Sequence, residues 1–473
     1  MKIKEYYKTY KKDLLVLLLL YLIFLVLLPF FFLHQGSVLV DSFTQNLYIP
    51  SEIIRGKLLY KDIGINYPPL SYQFNALLLN FFGLSTETIH IIGIINTLII
   101  LGLVYIIGRT ITDKRTSFLS AIFIMELCCY NSWISNFIFP YASAMTYALS
   151  SFLAAVLFCI LYIKNSKPKF MVLSFFFMGI SVMCKIDFAL FVLLLLLLIF
   201  LFKPFPQRYV LYCFLSIVLI PFISLGSLFF QGVNLPDIYS SVNLMEKLAL
   251  SKYIKDFYTQ YSGLYFSWSL LTLSLRIFLV FLIDILMIPI TTIYFLSIFL
   301  YKITQRITKG IPSGILYLGI GFLSYLLFYN LFALNLSFFS FTWMPISTVI
   351  ICLIILIFSL RKVGFTPVSI KNWKNISEFL SKIEKKKLAY IILCCSAFIA
   401  SSRSLFMINL SVFGTFLLPL LTVVNIIFLL DYLPKYISNH FVHFQPDMWK
   451  NASLICLFIV GFVYLRFSYT YIS

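Results

Sequence analysis

Residues 14–33 read LLVLLLLYLIFLVLLPFFFL. This uncharged run is about 20 residues long, the length a helix needs to cross the hydrocarbon of a bilayer. It does not alternate apolar and polar positions, as the strands of a membrane barrel must. Comparable runs recur along the 473 residues, which are 61% hydrophobic and only 11% charged, with a mean hydropathy of +0.99. Soluble domains carry about 25% charged residues. A chain with half that could not cover its surface with polar groups, so soluble, fibrous and disordered classes are excluded. The expected fold is an all-α polytopic membrane protein with about 11–13 transmembrane helices.

The net charge is +19. In a soluble protein that excess would suggest nucleic acid. Here it fits basic loops that set topology, and no nucleic-acid partner is expected. Lys2, Lys4, Lys8, Lys11 and Lys12 place the N-terminus in the cytoplasm. The first run has no small-residue cleavage site after it and reads as an uncleaved span. Alternation from there gives spans at roughly 14–33, 88–108, 117–133, 142–163, 170–184, 187–202 and 209–229. An amphipathic stretch and an eighth span follow over roughly 264–301, then spans at 311–333, 343–360, 389–401, 411–430 and 452–470. The large basic loop 361–388 falls inside, whereas Arg55, Lys57, Lys61, Lys185, Lys247, Lys252, Lys255 and Arg403 fall outside. The cysteines lie mostly in apolar runs without metal-ligand spacing and read as small buried hydrophobes.

Carboxylates gather on the predicted outer face: Asp41, Glu52, Asp62, Glu87, Asp187, Asp237, Glu246 and Asp256. Solvated loops would account for this, as would a cavity opening outward. The first outer segment, 34–86, is the most informative. Its stretch 40–83 reads VDSFTQNLYIPSEIIRGKLLYKDIGINYPPLSYQFNALLLNFFG. Phe43, Leu47 and Ile54 fall at near-helical spacing, so part of 43–55 is expected to lie on the membrane surface, kinked at Pro50 and ended by Gly56. Pro68-Pro69 breaks the chain, and 70–82 reads as a second interfacial helix ending at Gly83.

This segment resembles the first outer loop of GT-C class membrane glycosyltransferases, the group that includes protein O-mannosyltransferases and lipid A aminoarabinose transferases. That loop typically has an Asp after span 1, a Gly followed by Tyr-x-Asp, a Pro-Pro-Leu and an aromatic-Gly end. The chain supplies Asp41, Gly56, Tyr60-Lys61-Asp62, Tyr67-Pro68-Pro69-Leu70 and Phe82-Gly83. Gly179–Lys185, GISVMCK, is similar to the family's fifth span ending in an outward Lys. Two departures stand out: Asp41-Ser42 where many members have Asp-Glu, and Ile186-Asp187 where Gly or Pro is common. The resemblance implies a GT-C-like seven-helix catalytic module over 1–230, with 231–473 adding an outer loop and further helices. It implies a transferase that takes a sugar from a polyprenyl-phosphate donor at the periplasmic or extracellular face of a bacterial inner membrane. The acceptor stays open among lipid, glycan and protein, and membrane lipids are the surrounding partners.

Such a reaction needs a base for the acceptor proton and cations for the departing phosphate. Asp41 is the candidate base, although the same Asp would also cap a following helix. Lys185, Arg403 and Arg276 are the candidate phosphate contacts. For Lys185 the competing role is a pair with Asp187; for the arginines it is anchoring to lipid headgroups. Asp62, Tyr60 and Tyr67 are expected to organise the loop or the acceptor, with Asp62 bracing Lys61 and Arg55. Glu126 and Asp284 fall inside spans, where acids usually face a cavity or a partner. His90, His440 and His443 form no ligand set. No cofactor is implied, and a divalent metal would have to bind without a DxD motif, which the chain lacks. The same sequence leaves two other functions open. A lipid-linked oligosaccharide flippase would favour repeated halves, and a polysaccharide polymerase or ligase would place its basic residues in a late outer loop.

Overall fold

The computed structural model describes residues 2–32, 43–65, 67–130, 136–201, 205–249, 267–280, 288–307, 319–320, 324, 341–362, 380, 382–407 and 415–470. Among these residues the protein is helical, with a single isolated bridge between Leu59 and Ile63 and no strand. It is an all-α polytopic membrane protein. Seven of the described helices are long and apolar enough to cross a bilayer, and four shorter apolar helices accompany them.

Helix α1 (Lys2–Phe32) holds the opening apolar run. Leu15, Leu18 and Leu22 face outward, while Leu20 and Phe24 are fully buried against the rest of the molecule. In the first loop a π-helical turn, Thr44–Tyr48, runs directly into α2 (Ile49–Ile54). Pro50, where a kink is expected, sits just after this π-helical turn, in the first turn of α2. The second loop helix, α3, spans Leu70–Phe82. Gly56 at φ 93° and Gly83 at φ 101° let the chain turn off both helices, in backbone conformations that a side chain would strain.

Four long helices and a shorter one follow: α4 (Thr86–Ile111), α5 (Lys114–Cys128), α6 (Ser143–Asn165), α7 (Pro168–Cys184) and α8 (Phe191–Leu201). Ser85 and Asp113 cap α4 and α5 by accepting from Thr88 N at 3.2 Å and Thr116 N at 2.9 Å. Helix α9 (Gln207–Phe230) lies along α7, close enough that a Cβ at Gly179 would sit 2.7 Å from the Ile217 carbonyl oxygen. Small residues let helices approach in this way. Ser174 and Ser181 of α7 donate to the carbonyls of Ala155 and Ala148 at 2.8 and 2.9 Å, fixing its register on α6.

The remaining helices are α10 (Leu235–Ala249), α11 (Trp268–Val280), α12 (Ile288–Ile307), α13 (Trp343–Lys362), α14 (Lys385–Ser401), α15 (Leu418–Ile427), α16 (Leu433–Ser438) and α17 (Pro446–Thr470). A π-helical turn, Phe428–Tyr432, joins α15 to α16. The amphipathic stretch and the span expected over 264–301 correspond to two described helices, α11 and α12, the second running on to Ile307. Helix α14 starts at Lys385, earlier than the apolar run suggests. Lys385 Nζ donates to the Lys164 carbonyl at 2.9 Å, so the α6 terminus holds a charge that hydropathy assigns to a loop. Span 311–333, Asp284 and residues 363–379 of the basic loop lie outside the described residues, apart from isolated positions in that span.

The two ends of the helices differ in chemistry. At one end, Asp13 accepts from Arg109 Nε at 2.9 Å and Tyr105 OH at 3.2 Å, and Lys164 Nζ donates to the Thr110 carbonyl at 2.8 Å. Asp431 there accepts from Thr112 Oγ1 at 2.9 Å and pairs with Lys435. The opposite end carries the first loop, since α4 leaves that loop at Thr86 and reaches the basic end at Ile111.

Candidate functional site

The first loop is fastened down at many points. Asn46 donates to the Pro140 carbonyl at 2.7 Å and accepts from Ser143 N at 2.6 Å, tying the π-helical turn to the start of α6. Asn75 of α3 accepts from Tyr147 OH at 2.6 Å. Gln73 exchanges hydrogen bonds with Ser224 and Ser227 of α9. Ile65 N donates to Ser241 Oγ of α10 at 2.9 Å, and that hydroxyl donates back to the Ile65 carbonyl at 3.0 Å. Glu52 is buried and clasps Arg55 and Lys57, each at 2.5 Å. Asn46, Ile65, Gln73 and Asn75 thus tie the loop over the helices through partners on other elements.

Beneath this cap lies the tip of the α7–α8 hairpin. Lys185 is extended there (φ −156°, ψ 127°) and is followed by a short 3₁₀ turn, Ile186–Phe188. Lys185 is only 5% exposed. Its Nζ lies 3.2 Å from Asp187 Oδ2, and the other oxygen of the same carboxylate lies 2.6 Å from Arg403 Nη1. Arg403 comes from a 3₁₀ turn, Ser402–Phe406, immediately after α14. Two cations therefore share one buried carboxylate. The Phe416 ring lies 5.2 Å from the Lys185 ammonium and 5.7 Å from the Arg403 guanidinium. The Tyr67 ring of the first loop lies 4.6 Å from Lys185 Nζ. Such ring contacts hold a cation without neutralising it. The cluster keeps a net charge of about +1, which an arriving anion would satisfy.

Tyr60 and Tyr67 work together. Tyr60 OH donates to the Tyr67 carbonyl at 2.9 Å and so sets the main chain that carries the Tyr67 ring. Tyr60 adopts φ 69°, an unusual conformation for a residue with a side chain. Burial pushes its phenol up, which keeps it protonated as a donor. Asp62 accepts from Leu58 N at 2.8 Å and closes the 58–63 turn. The bracing expected of Asp62 toward Lys61 and Arg55 is performed otherwise: Lys61 reaches the Gly232 carbonyl at 3.4 Å, and Arg55 pairs with Glu52.

The structure brings Lys185, Arg403, Tyr60 and Tyr67 into one place. Asp41 lies outside the described residues. Arg276 stands apart on α11. Ser274 of that helix donates to the Leu405 carbonyl at 3.3 Å, so the helix touches the Arg403 turn. Arg276 itself is exposed, and among the described residues no ion pair joins it to the cluster. Asp187 and Phe416 complete the site. Asp187 has a local signal, its position two residues after Lys185. Phe416 is one of 52 phenylalanines and has none. Glu126 packs from α5 against Gly461 of α17, away from the cluster. Among the described residues no three His, Cys, Asp or Glu side chains come together as a metal site.

A groove of about 750 Å³ runs beside the cluster, between α3, α4, α6, α7 and α9. Leu70 and Phe74 form its loop side, and Cys184, which precedes Lys185, lines it near the tip. Ile91, Ile95 and Ile99 of α4 line it too and are about half exposed, so it opens sideways toward the membrane.

Residues 66–226 match the family profile of dolichyl-phosphate-mannose-protein mannosyltransferase. Over this segment the chain resembles GT-C glycosyltransferases. The match takes in Tyr67, Lys185, Asp187 and the whole groove; Asp41 precedes it, and Arg276 and Arg403 follow it. Among solved structures, the oligosaccharyltransferase of Archaeoglobus fulgidus in its apo form is 12% identical, covering 96% of this chain and 56% of that one, with a TM-score of 0.45. The same organism's oligosaccharyltransferase AglB in complex with an inhibitory peptide and a dolichol-phosphate is 14% identical, covering 98% and 56%, with a TM-score of 0.43. The chain spans just over half the length of those structures. Comparison with curated proteins gave no match.

Proposed function

We propose that this protein is an integral-membrane glycosyltransferase that moves a sugar from a polyprenyl-phosphate donor to an acceptor. The loop end then faces the periplasm or exterior of a bacterial inner membrane, with the N-terminus in the cytoplasm and the catalytic module in residues 1–230. The observation that carries the reading is the pair of cations on one carboxylate, roofed by Tyr67 and set within or beside the family-matched segment.

In this mechanism the acceptor hydroxyl oxygen attacks the anomeric carbon while its proton passes to Asp41. The bond from that carbon to the phosphate oxygen breaks, and the electron pair leaves with the phosphate. Lys185 and Arg403 stabilise that growing charge, worth about 3–4 kcal/mol for a well-placed donor of this kind. Asp187 holds both cations in place beforehand, so little reorganisation accompanies the step. The groove gives a lipid substrate a route from the bilayer to this point.

The test is transfer rate with polyprenyl-phosphate sugars and a panel of acceptors, per folded protein. Asp41→Asn keeps size and capping ability but cannot take the proton, so it should slow transfer by about 10²–10⁴-fold and spare donor binding. Lys185→Gln should weaken donor binding. An Asp41→Asn protein that folds and transfers at wild-type rate removes Asp41 from the mechanism.

A further inference from the structure

The end of the molecule opposite the first loop holds a second group of cations, and this group lacks a shared carboxylate. Lys164 is the last residue but one of α6, and its ammonium donates to the Thr110 carbonyl of α4 at 2.8 Å. Lys385, in the first turn of α14, donates to the Lys164 carbonyl at 2.9 Å. These two bonds hold the ends of α4, α6 and α14 together. They also gather like charges. Lys386 and Arg109 both act on the Lys164 ammonium, and both repel it. Lys164 is half-buried, so water screens that repulsion only in part.

The acids at this end are engaged elsewhere. Asp13 pairs with Arg109 at 2.9 Å, and Asp431 holds Thr112 and Lys435. Asp113 caps α5. Glu384 stands next to Lys385 in sequence, gives α14 no side-chain cap and acts on Tyr432. Among the described residues no carboxylate lies within ion-pair distance of Lys164, Lys385 or Lys386. Backbone carbonyls accept their protons but bring no negative charge. The level of the cluster says which anion meets it. Helix α6 is long and apolar enough to cross the bilayer, and Lys164 sits at its end, where hydrocarbon gives way to headgroups. Phosphate is the anion at that level, and basic pockets between helix ends hold phospholipid headgroups. Its several oxygens also suit ammonium groups that arrive from different helices.

We propose that the ends of α4, α6 and α14 form a site for an anionic phosphate group, contacted by Lys164, Lys385 and Lys386. The phosphate supplies the negative charge that no side chain brings to these three lysines. The site is separate from the Lys185 cluster, roughly 25 Å away along α14, and does not depend on the transferase reading.

The experiment reads the melting temperature of the purified full-length protein in dodecyl maltoside, a detergent without phosphate. One arm adds dioleoyl phosphatidylglycerol, with zwitterionic dioleoyl phosphatidylcholine as its control. The other adds sodium phosphate, with sodium chloride at equal ionic strength as its control. A rise above the control in the lipid arm alone identifies a lipid headgroup, and a rise with sodium phosphate as well identifies a free phosphate too. Lys386 is exposed and makes no hydrogen bond among the described residues, so its replacement leaves the packing in place. Lys386→Gln should shift the midpoint of the effective titration about tenfold, the weight of one charge-assisted contact. Lys386→Glu puts the missing carboxylate beside Lys164 and should lose most of the rise. The Lys185 cluster answers alike in wild type and variants, so the difference between them belongs to this site. No rise above control in either arm overturns the proposal, and so does a rise that is unchanged in Lys386→Glu.

Discussion

Asp187→Asn offers the sharpest test of the cation cluster, because it removes the one negative charge and leaves both cations and the side-chain volume. The three side chains are 7% (Lys185), 10% (Asp187) and 24% (Arg403) exposed, so water screens them only in part. With the shared carboxylate gone, both cations lose the attraction that offsets their burial and their mutual repulsion, and removing one partner of a buried pair usually costs about 3–5 kcal/mol. The partial exposure of Arg403 puts the expected loss at the lower end, about 3 kcal/mol. The variant should therefore unfold at lower temperature in detergent. An anion placed between the cations should then do what the carboxylate did. Farnesyl phosphate should raise the melting temperature of Asp187→Asn by more than it raises that of the wild type, with farnesol as the uncharged control. At a concentration 100 times its dissociation constant, a ligand contributes about 2.7 kcal/mol, enough to restore most of the loss. A variant that melts like the wild type refutes the electrostatic argument. A phosphate response no larger than the wild type's refutes the assignment of the cations to phosphate.

A Cβ at Gly461 would collide with Glu126 Oε2, the end of a flexible side chain, so Gly461→Ala should turn that carboxylate aside and leave α5 and α17 in place, at a cost below about 1 kcal/mol in thermal unfolding. A Gly461→Ala loss of several kcal/mol that Glu126→Ala relieves would show that the carboxylate cannot move. In the first loop, the Lys57 ammonium hydrogen-bonded to Glu52, with Arg55 beside it, holds the Glu52 carboxyl below its ordinary range. A lowered folded value means that the clasp contributes above the unfolded pKa of about 4.3 and fades as pH falls through the folded value. The stability gap between wild type and Glu52→Gln should be widest near neutral pH and should close below about pH 4. A gap that does not depend on pH would show that the ion pairs add nothing.

The membrane class and the two loop helices were legible in the sequence because each depends on a short window. Twenty apolar residues need a bilayer wherever the rest of the chain goes. Gly56 and Gly83 stop their helices through backbone freedom that no distant contact supplies. Lys185 with Asp187 was visible for the same reason, two charges within one turn. The rest needed the packed helices. Arg276 and Arg403 look alike locally, each an arginine near the outer end of an apolar run. The rotation of α11 exposes one, and the turn after α14 delivers the other to Asp187. Pro50 marked an irregularity in the loop helix, and the packed structure decided its form, a π-helical turn just before the proline. Phe416 and Tyr67 acquire meaning only from what lies across from them. Hydropathy and spacing record what a residue is and where it falls along its own helix. Which face turns inward, and which donors are left without acceptors, is fixed by helices from distant parts of the chain packing side by side.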